Sequence, residues 1–248
     1  MRAIIFSAGL GTRLRPLTDT MPKALLPIAG KTLLQWQIEK LRDAGIREMV
    51  VNVHHFADQI IDYLHQHDSF GCHITISDER EQLLETGGGL YHARDLLLDG
   101  SQQPVLACNV DILSNISIPD LQKAYTSDMM ALLVVSQRQT QRYLLFDRQL
   151  RLHGWTNLAT GEVRPSTLSD ISLMTPLAFS GMQILSPDLF AHMDTTICDK
   201  GTKFSLIDLY LNLCSFQPIY AYLPTNYRMM DVGKIDQLST ATAFAQTL

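Results

Sequence analysis

Short apolar runs rich in β-branched residues recur along the first part of the chain, at Ala3–Phe6, Met49–Val53, His73–Ser77 and Val105–Cys108. Between them the apolar spacing turns helical. In Thr32 to Ala44 the residues Leu34, Ile38 and Leu41 share one helical face, and Gly45 follows as a C-terminal stop. Ala57 to His67 repeats the pattern with Ile60, Ile61 and Leu64, and a third helix is predicted from near Gly88 to Leu98. Strands alternating with helices predict βαβ units. The expected fold is α/β: a doubly wound, mostly parallel, Rossmann-like mixed sheet flanked by helices, built largely from residues 1–135.

After Ser136 the texture changes. RYLLFD and LRLHGW flank Arg148-Gln149 and read as a hairpin, while Gly161 and Pro165 mark loops. Strands are expected near Leu177 to Leu185 and at Ile219 to Leu223, and helices at Ser205 to Leu213 and in the tail from Lys234. Residues 136–248 are thus predicted to form a smaller α+β lobe. With 248 residues and 46% hydrophobic content, one large core is expected, so both parts belong to a single domain over 1–248.

Composition narrows the class of partner. A net charge of -5 provides no broad positive field, so nucleic acid and anionic membrane are not expected as partners, and any phosphate must be bound by local cations. The apolar start MRAIIFSAG is too short for a signal peptide, and no stretch approaches the roughly 18 apolar residues of a membrane span. Cys72, Cys108, Cys198 and Cys214 form no C-x-x-C pair. Reduced thiols in a cytoplasmic protein are the expectation.

The chemistry concentrates in GLGTRLRPLTDTMPKALLPIAG, residues 9–30. A dinucleotide fingerprint would place a third glycine at position 14 and an acid at the end of the second strand. Leu14 and Asn52-Val53-His54 stand there, so a nicotinamide oxidoreductase is excluded. A Walker loop would need Gly-Lys-Ser/Thr, and neither glycine cluster provides it. The remaining reading is a phosphate cradle. Gly9 and Gly11 let backbone approach phosphate oxygens, and Thr12 adds a donor. Arg13 supplies a planar permanent charge, and Pro16 and Pro22 bring the chain back so that Lys23 reaches the same group.

The run S-A-G-L-G-T-R-L-R-P-L-T-D-T-M-P-K, which includes Ala8, resembles the signature of the nucleotidyltransferases that activate sugar 1-phosphates. The likeness continues through Leu84 to Gly89, Asn109-Val110-Asp111, Phe179-Ser180-Gly181 and Asp231-Val232-Gly233, nearly the whole chain. The L-E-T-G-G-G form most resembles the small N-acetylmuramate 1-phosphate uridylyltransferases, with mannose and heptose 1-phosphate guanylyltransferases as the alternative. The resemblance implies a nucleoside triphosphate and a sugar 1-phosphate as partners, with transfer of a nucleotidyl group between them. Monomer and homo-oligomer are both compatible with it. A non-catalytic nucleotide-sugar sensor would have eroded Arg13, Lys23 or the acids, and all are present. The chain shows no C-terminal hexapeptide repeats, which points away from a bifunctional acetylating enzyme.

Such a transfer brings two anions together, so Mg²⁺ is expected, held by one or two carboxylates plus phosphate and water. Asp111 follows the apolar strand Pro104–Val110 at its carboxyl end, and Asp231 precedes Val232-Gly233. The resemblance makes both metal ligands. Val110 replaces a glycine common in the family and is expected to point away from the site. Glu85 and Gly88 are candidates for base or ribose contacts. By resemblance Thr86 and Gly88 lie near the nucleoside, and Asn109 with the Ser180-Gly181 turn near the sugar. Asn157 is a further sugar candidate. No V-E-K-P segment occurs between Ser136 and Pro165, so the sugar phosphate anchor is sought among Arg138, Arg142, Arg148, Arg151 and Arg164. His54-His55 read as structural, since neighbours on a strand face opposite ways.

Overall fold

A computed structural model describes residues 1–168 and 170–248, and the side chains of all of these except 196–200, so Cys198 lies outside the described side chains. Along the chain it shows β1 (Arg2–Phe6), the short β2 (Pro27–Ile28) and β3 (Lys31–Thr32), α1 (Leu33–Asp43), β4 (Glu48–Val53), α2 (Ala57–Gln66) and β5 (His73–Asp78). There follow α3 (Glu85–His92), α4 (Arg94–Leu97), β6 (Val105–Asn109), β7 (Ile112–Ser114), α5 (Ile118–Ala124), β8 (Ala131–Ser136), β9 (Arg142–Phe146), β10 (Leu152–Asn157) and β11 (Glu162–Arg164). The chain ends with β12 (Thr175–Leu185), α6 (Leu189–Lys200), α7 (Leu206–Leu213), β13 (Ile219–Tyr222), β14 (Met229–Asp231) and α8 (Leu238–Ala245).

The principal sheet runs β11-β10-β9-β12-β6-β1-β4-β5, with β8 beside β12 and β13 beside β8. The four expected strands β1, β4, β5 and β6 pair in parallel. Helices cover both faces of such a sheet, which is why adjacent Ile4 and Ile5 are both fully buried, each in a different apolar cluster. β12 is antiparallel and joins the halves: Met182 to Leu185 pair with β6, and Thr175 to Leu177 with β9. One sheet therefore crosses the boundary at 135/136.

Three expectations need correction. The third helix begins at Glu85 rather than near Gly88, and it breaks at Ala93 into α3 and α4. A glycine run disfavours helix by about 1 kcal/mol per residue. Tertiary contact overrides that here, because the Gly87 and Gly88 amides donate to the Phe204 carbonyl at 2.9 and 3.1 Å. The turn at Arg148-Gln149 is wider than two residues: the Asp147 carboxylate accepts from the Gln149 and Arg151 amides, both at 2.9 Å. Finally, part of the stretch between Gly161 and Pro165, read as loop, is the edge strand β11. Among the described residues no helix is long and apolar enough to cross a membrane, and Cys72, Cys108 and Cys214 are free thiols.

Candidate active site

The cradle starts where β1 ends and folds through three single-turn 3₁₀ helices, Thr12–Leu14, Leu17–Asp19 and Lys23–Leu25. Leu14, at the position a dinucleotide fold would give to glycine, is fully buried core. Gly11 has φ +62°, and a Cβ there would stand 2.9 Å from Thr18 Cγ2 and 3.1 Å from Lys23 Cβ. Only glycine permits that approach. The Thr18 hydroxyl donates to the Gly11 carbonyl at 2.9 Å and closes the turn.

Lys23 is 8% exposed, and its ammonium donates to Asp111 Oδ2. A lysine this buried requires a partner, and the carboxylate at the end of β6 provides one. Asp231 is brought alongside by the small β7–β14 ladder, in which it lies opposite Ile112 and the Val232 amide donates to the Asp111 carbonyl at 2.9 Å. From behind, α1 grips this ladder: Gln37 Nε2 donates to the Ile112 carbonyl, and the Lys40 ammonium to the Ser114 carbonyl and hydroxyl. Burial pushes Lys40 down to about 8, and the same cause raises the neighbouring Cys108 thiol to about 12.

Asp231 Oδ1 is buried and without a hydrogen-bond partner. Burial above all, and then the negative charge of Asp111, hold the Asp231 carboxyl above the usual carboxylate range, while Lys23, Arg13 and Arg138 pull the other way. Arg13 converges on the same point, since a Cβ on Gly233 would meet Asp231 Oδ1 at 2.9 Å and Arg13 Nη2 at 3.0 Å. Both cations of the cradle therefore face the two acids. Among the described residues no group of three or more His, Cys, Asp or Glu could enclose a metal. Two carboxylates with one orphaned oxygen suit a cation that keeps phosphate and water ligands.

Of these groups Lys23 and Asp111 border a hollow of about 370 Å³, and Arg13 and Asp231 stand outside its lining. Of the residues expected at the site, Ala8, Gly9, Lys23, Glu85, Thr86, Asn109 and Asp111 line it. Gly11, Thr12 and Arg13 sit in the same loop, and Gly181 touches Asn109, whose Nδ2 would be 3.0 Å from an added Cβ. Ser180 is fully buried, with its hydroxyl 3.5 Å from that of Ser136. Val110 borders the hollow too, yet its side chain is 5% exposed and packs into the core.

Two expected contacts are placed elsewhere. The Gly88 amide is occupied by Phe204, a Cβ on Gly88 would lie 2.0 Å from the Thr202 carbonyl, and the residue borders a different groove. It serves packing rather than a base edge. Asn157 lies outside the lining, where its carboxamide accepts from the Ala159 amide at 3.0 Å and shapes the β10–β11 turn. The other groove is larger, about 870 Å³, but Arg80 there is paired with Asp78 and Asp58, and Arg94 is stacked on Tyr91. His54 Nδ1 lies 2.6 Å from the Glu79 carbonyl and serves structure, as expected.

Sequence reasoning did not select Asn52, Glu79 or Arg138. Asn52, 2% exposed, borders the hollow, and Glu79, 3% exposed, is bonded to it from the lining of the larger groove; a polar residue ending an apolar strand is the available signal for Asn52. Of the five arginines considered, Arg138 donates to the Phe179 carbonyl at 3.2 Å, next to the Ser180-Gly181 turn, and its charge is among those that lower the Asp231 carboxyl. Arg164 is spent on Asp208 at 2.8 Å and on the face of Trp155.

A cationic loop and paired carboxylates meeting at the carboxyl end of a doubly wound sheet favour in-line substitution at phosphorus between two anions. Fold and site thus define an enzyme that transfers nucleotidyl groups. Residues 2–143 match the model of the nucleotidyl transferase family, and the chain belongs to that family. It is 35% identical over 222 residues to the N-acetylmuramate alpha-1-phosphate uridylyltransferase of Caulobacter vibrioides, covering 86% of this chain and 84% of that one. It is also 35% identical over 246 residues to the protein of the same name from Neisseria meningitidis serogroup B, covering 99% and 98%. The fold matches HddC from Yersinia pseudotuberculosis, solved in complex with GMP-PN, with a TM-score of 0.75 at 21% identity over 98% of each chain.

Proposed function

We propose that this cytoplasmic enzyme forms an NDP-sugar and pyrophosphate from a nucleoside triphosphate and a sugar 1-phosphate, with UTP and N-acetylmuramate 1-phosphate or a similar sugar as the pair. The observation that carries this reading is the convergence of Lys23 and Arg13 on Asp111 and Asp231, beside a hollow that Lys23 and Asp111 line. A phosphate oxygen of the sugar 1-phosphate attacks the α-phosphorus, forming a new P–O bond, and the bond to the β-phosphate oxygen breaks to release pyrophosphate. No protein nucleophile is needed. Arg13 and Lys23 stabilise the charge that develops on the α-phosphate, and the Gly9 to Thr12 backbone orients the triphosphate. Asp111 and Asp231 fit Mg²⁺, which when bound screens the repulsion between the two anions. The relatives named above support the choice of base and sugar.

Arg138 is the anchor for the sugar phosphate in this reading. Arg138→Ala is expected to raise KM for the sugar 1-phosphate by about 10- to 100-fold, the range for a lost charge-assisted contact, with KM for the triphosphate little changed. Steady-state kinetics with each substrate varied in turn checks it. The function itself is tested by pyrophosphate release with Mg²⁺, UTP, CTP, GTP or dTTP and a panel of sugar 1-phosphates. Release with no pair would sink the proposal.

A further inference from the structure

The hollow has two walls that are far apart in sequence. One is the loop after β1, represented by Ser7 and Ala8, and the other is the segment Leu83 to Thr86 that leads into α3. A single buried polar chain joins them from below. Asn52 Oδ1 accepts from the Ser7 amide at 2.6 Å and from the Ala8 amide at 3.3 Å, and the Ser7 hydroxyl donates to the Asn52 carbonyl. Asn52 Nδ2 then donates to Glu79 Oε1 at 2.7 Å, and Glu79 Oε2 accepts from the Leu84 amide at 3.3 Å. Gly89 is packed against this junction: a Cβ there would stand 2.6 Å from Glu79 Oε1 and 3.0 Å from Asn52 Nδ2. Every polar atom of the two side chains is thus engaged between the walls.

We infer that Asn52 and Glu79 are a positioning pair that fixes the gap between the two walls, and so sets affinity for the nucleoside triphosphate rather than for the sugar phosphate. The inference rests on the nucleotide-binding reading above. Glu79 stands outside the lining of the hollow, and Asn52 borders it with both polar atoms already engaged by protein groups. A buried hydrogen-bond chain has direction, and removing one partner leaves another desolvated and unpaired. In Asn52→Asp a second carboxylate oxygen faces Glu79 Oε1. In Glu79→Gln the single carbonyl oxygen cannot serve both Asn52 Nδ2 and the Leu84 amide. In the double variant N52D/E79Q the chain closes again with reversed polarity. The carboxylate then at position 52 accepts from the Ser7 and Ala8 amides and from the carboxamide nitrogen at position 79, and the carboxamide oxygen at position 79 accepts from the Leu84 amide.

The test compares the full chain and these three variants by calorimetric titration with UTP, CTP, GTP and dTTP in MgCl₂, and by steady-state kinetics. Each single variant should bind the triphosphate about tenfold more weakly or worse, and the double variant should return to within about threefold of the parent. KM for the sugar 1-phosphate should stay nearly constant throughout. Should Asn52→Asp fail to fold, Glu79→Gln and the double variant carry the same comparison. Single variants that bind as the parent does, a double variant no better than the worse single one, or a parallel rise in both KM values would overturn the pair while leaving the nucleotide reading intact. A parent that binds none of UTP, CTP, GTP and dTTP would overturn both.

Discussion

Lys23→Met lowers kcat by about a thousandfold, the scale on which loss of one pre-organised charge at a phosphoryl or acyl centre is felt. The side chain is nearly isosteric, so the change removes charge while keeping most of the packing around a residue that is 8% exposed. Two effects add. The α-phosphate loses a cation placed beside the acid at the end of β6, and Asp111 loses the ammonium that now holds it. An unpaired carboxylate there also deepens the repulsion on Asp231, whose carboxyl is already held high by burial and by Asp111. Lys23→Arg is expected to recover little, because a broad planar fork cannot replace a compact ammonium in that space. Single-turnover measurement of the chemical step decides it. A rate within tenfold of the parent would remove Lys23 from the machinery.

Asp231→Asn separates function from stability. Turnover should fall by at least about a hundredfold, because a carboxamide is a poor ligand for a hard divalent cation and leaves one carboxylate to hold it. The protein alone should nevertheless melt higher than the parent at neutral pH. A carboxyl whose folded pKa lies above its unfolded value favours the folded state when protonated, so its contribution is present in acid and is lost as pH rises through the folded pKa. Here the cause of the raised pKa is burial first and the Asp111 charge second. The substituted carboxamide is neutral at every pH, so the gain in melting temperature over the parent should grow from acid to neutral pH. Melts at about pH 3.5 and pH 7.5 without metal read this out, the lower value below the ordinary aspartate pKa of about 3.9 and the upper well above it. Added Mg²⁺ and triphosphate should stabilise the parent and not the variant. A variant that melts lower at neutral pH would show that the neighbouring cations outweigh desolvation.

Much of the nucleotide half is legible in the sequence because β1, β4 and β6 are buried on both faces and so read as continuous apolar runs, while the edge strand β5 shows in its β-branched residues Ile74, Thr75 and Ile76. β1, β4, β5 and β6 fall within a residue or two of their expected bounds. The cradle is equally legible, since Gly11, Pro16, Pro22 and Lys23 are special residue types whose spacing carries the geometry. What escaped depends on contacts between distant segments. β7 and β14 are three residues each, too short for any periodicity, yet their pairing places Asp231 beside Asp111. The start of α3 could not be read locally, because glycines disfavour helix and the Phe204 carbonyl that stabilises them lies more than a hundred residues away. Asn52 drew attention only as the acid it is not. The part proposed for it emerges once its carboxamide is seen bonded to Glu79.

That distant carbonyl has a bearing on engineering. Phe204 occupies the amides at the head of α3, the Leu206 amide donates to the Thr86 hydroxyl at 3.1 Å, and Ser205 lines the hollow beside Glu85. The wall expected to meet the base is therefore built from both parts of the chain. A chimera that grafts everything after residue 136 from a relative, with the aim of changing only the acceptor sugar, would exchange the Phe204 to Leu206 support of this wall as well and shift base preference with it. Exchanging only the β9–β11 meander would leave it in place.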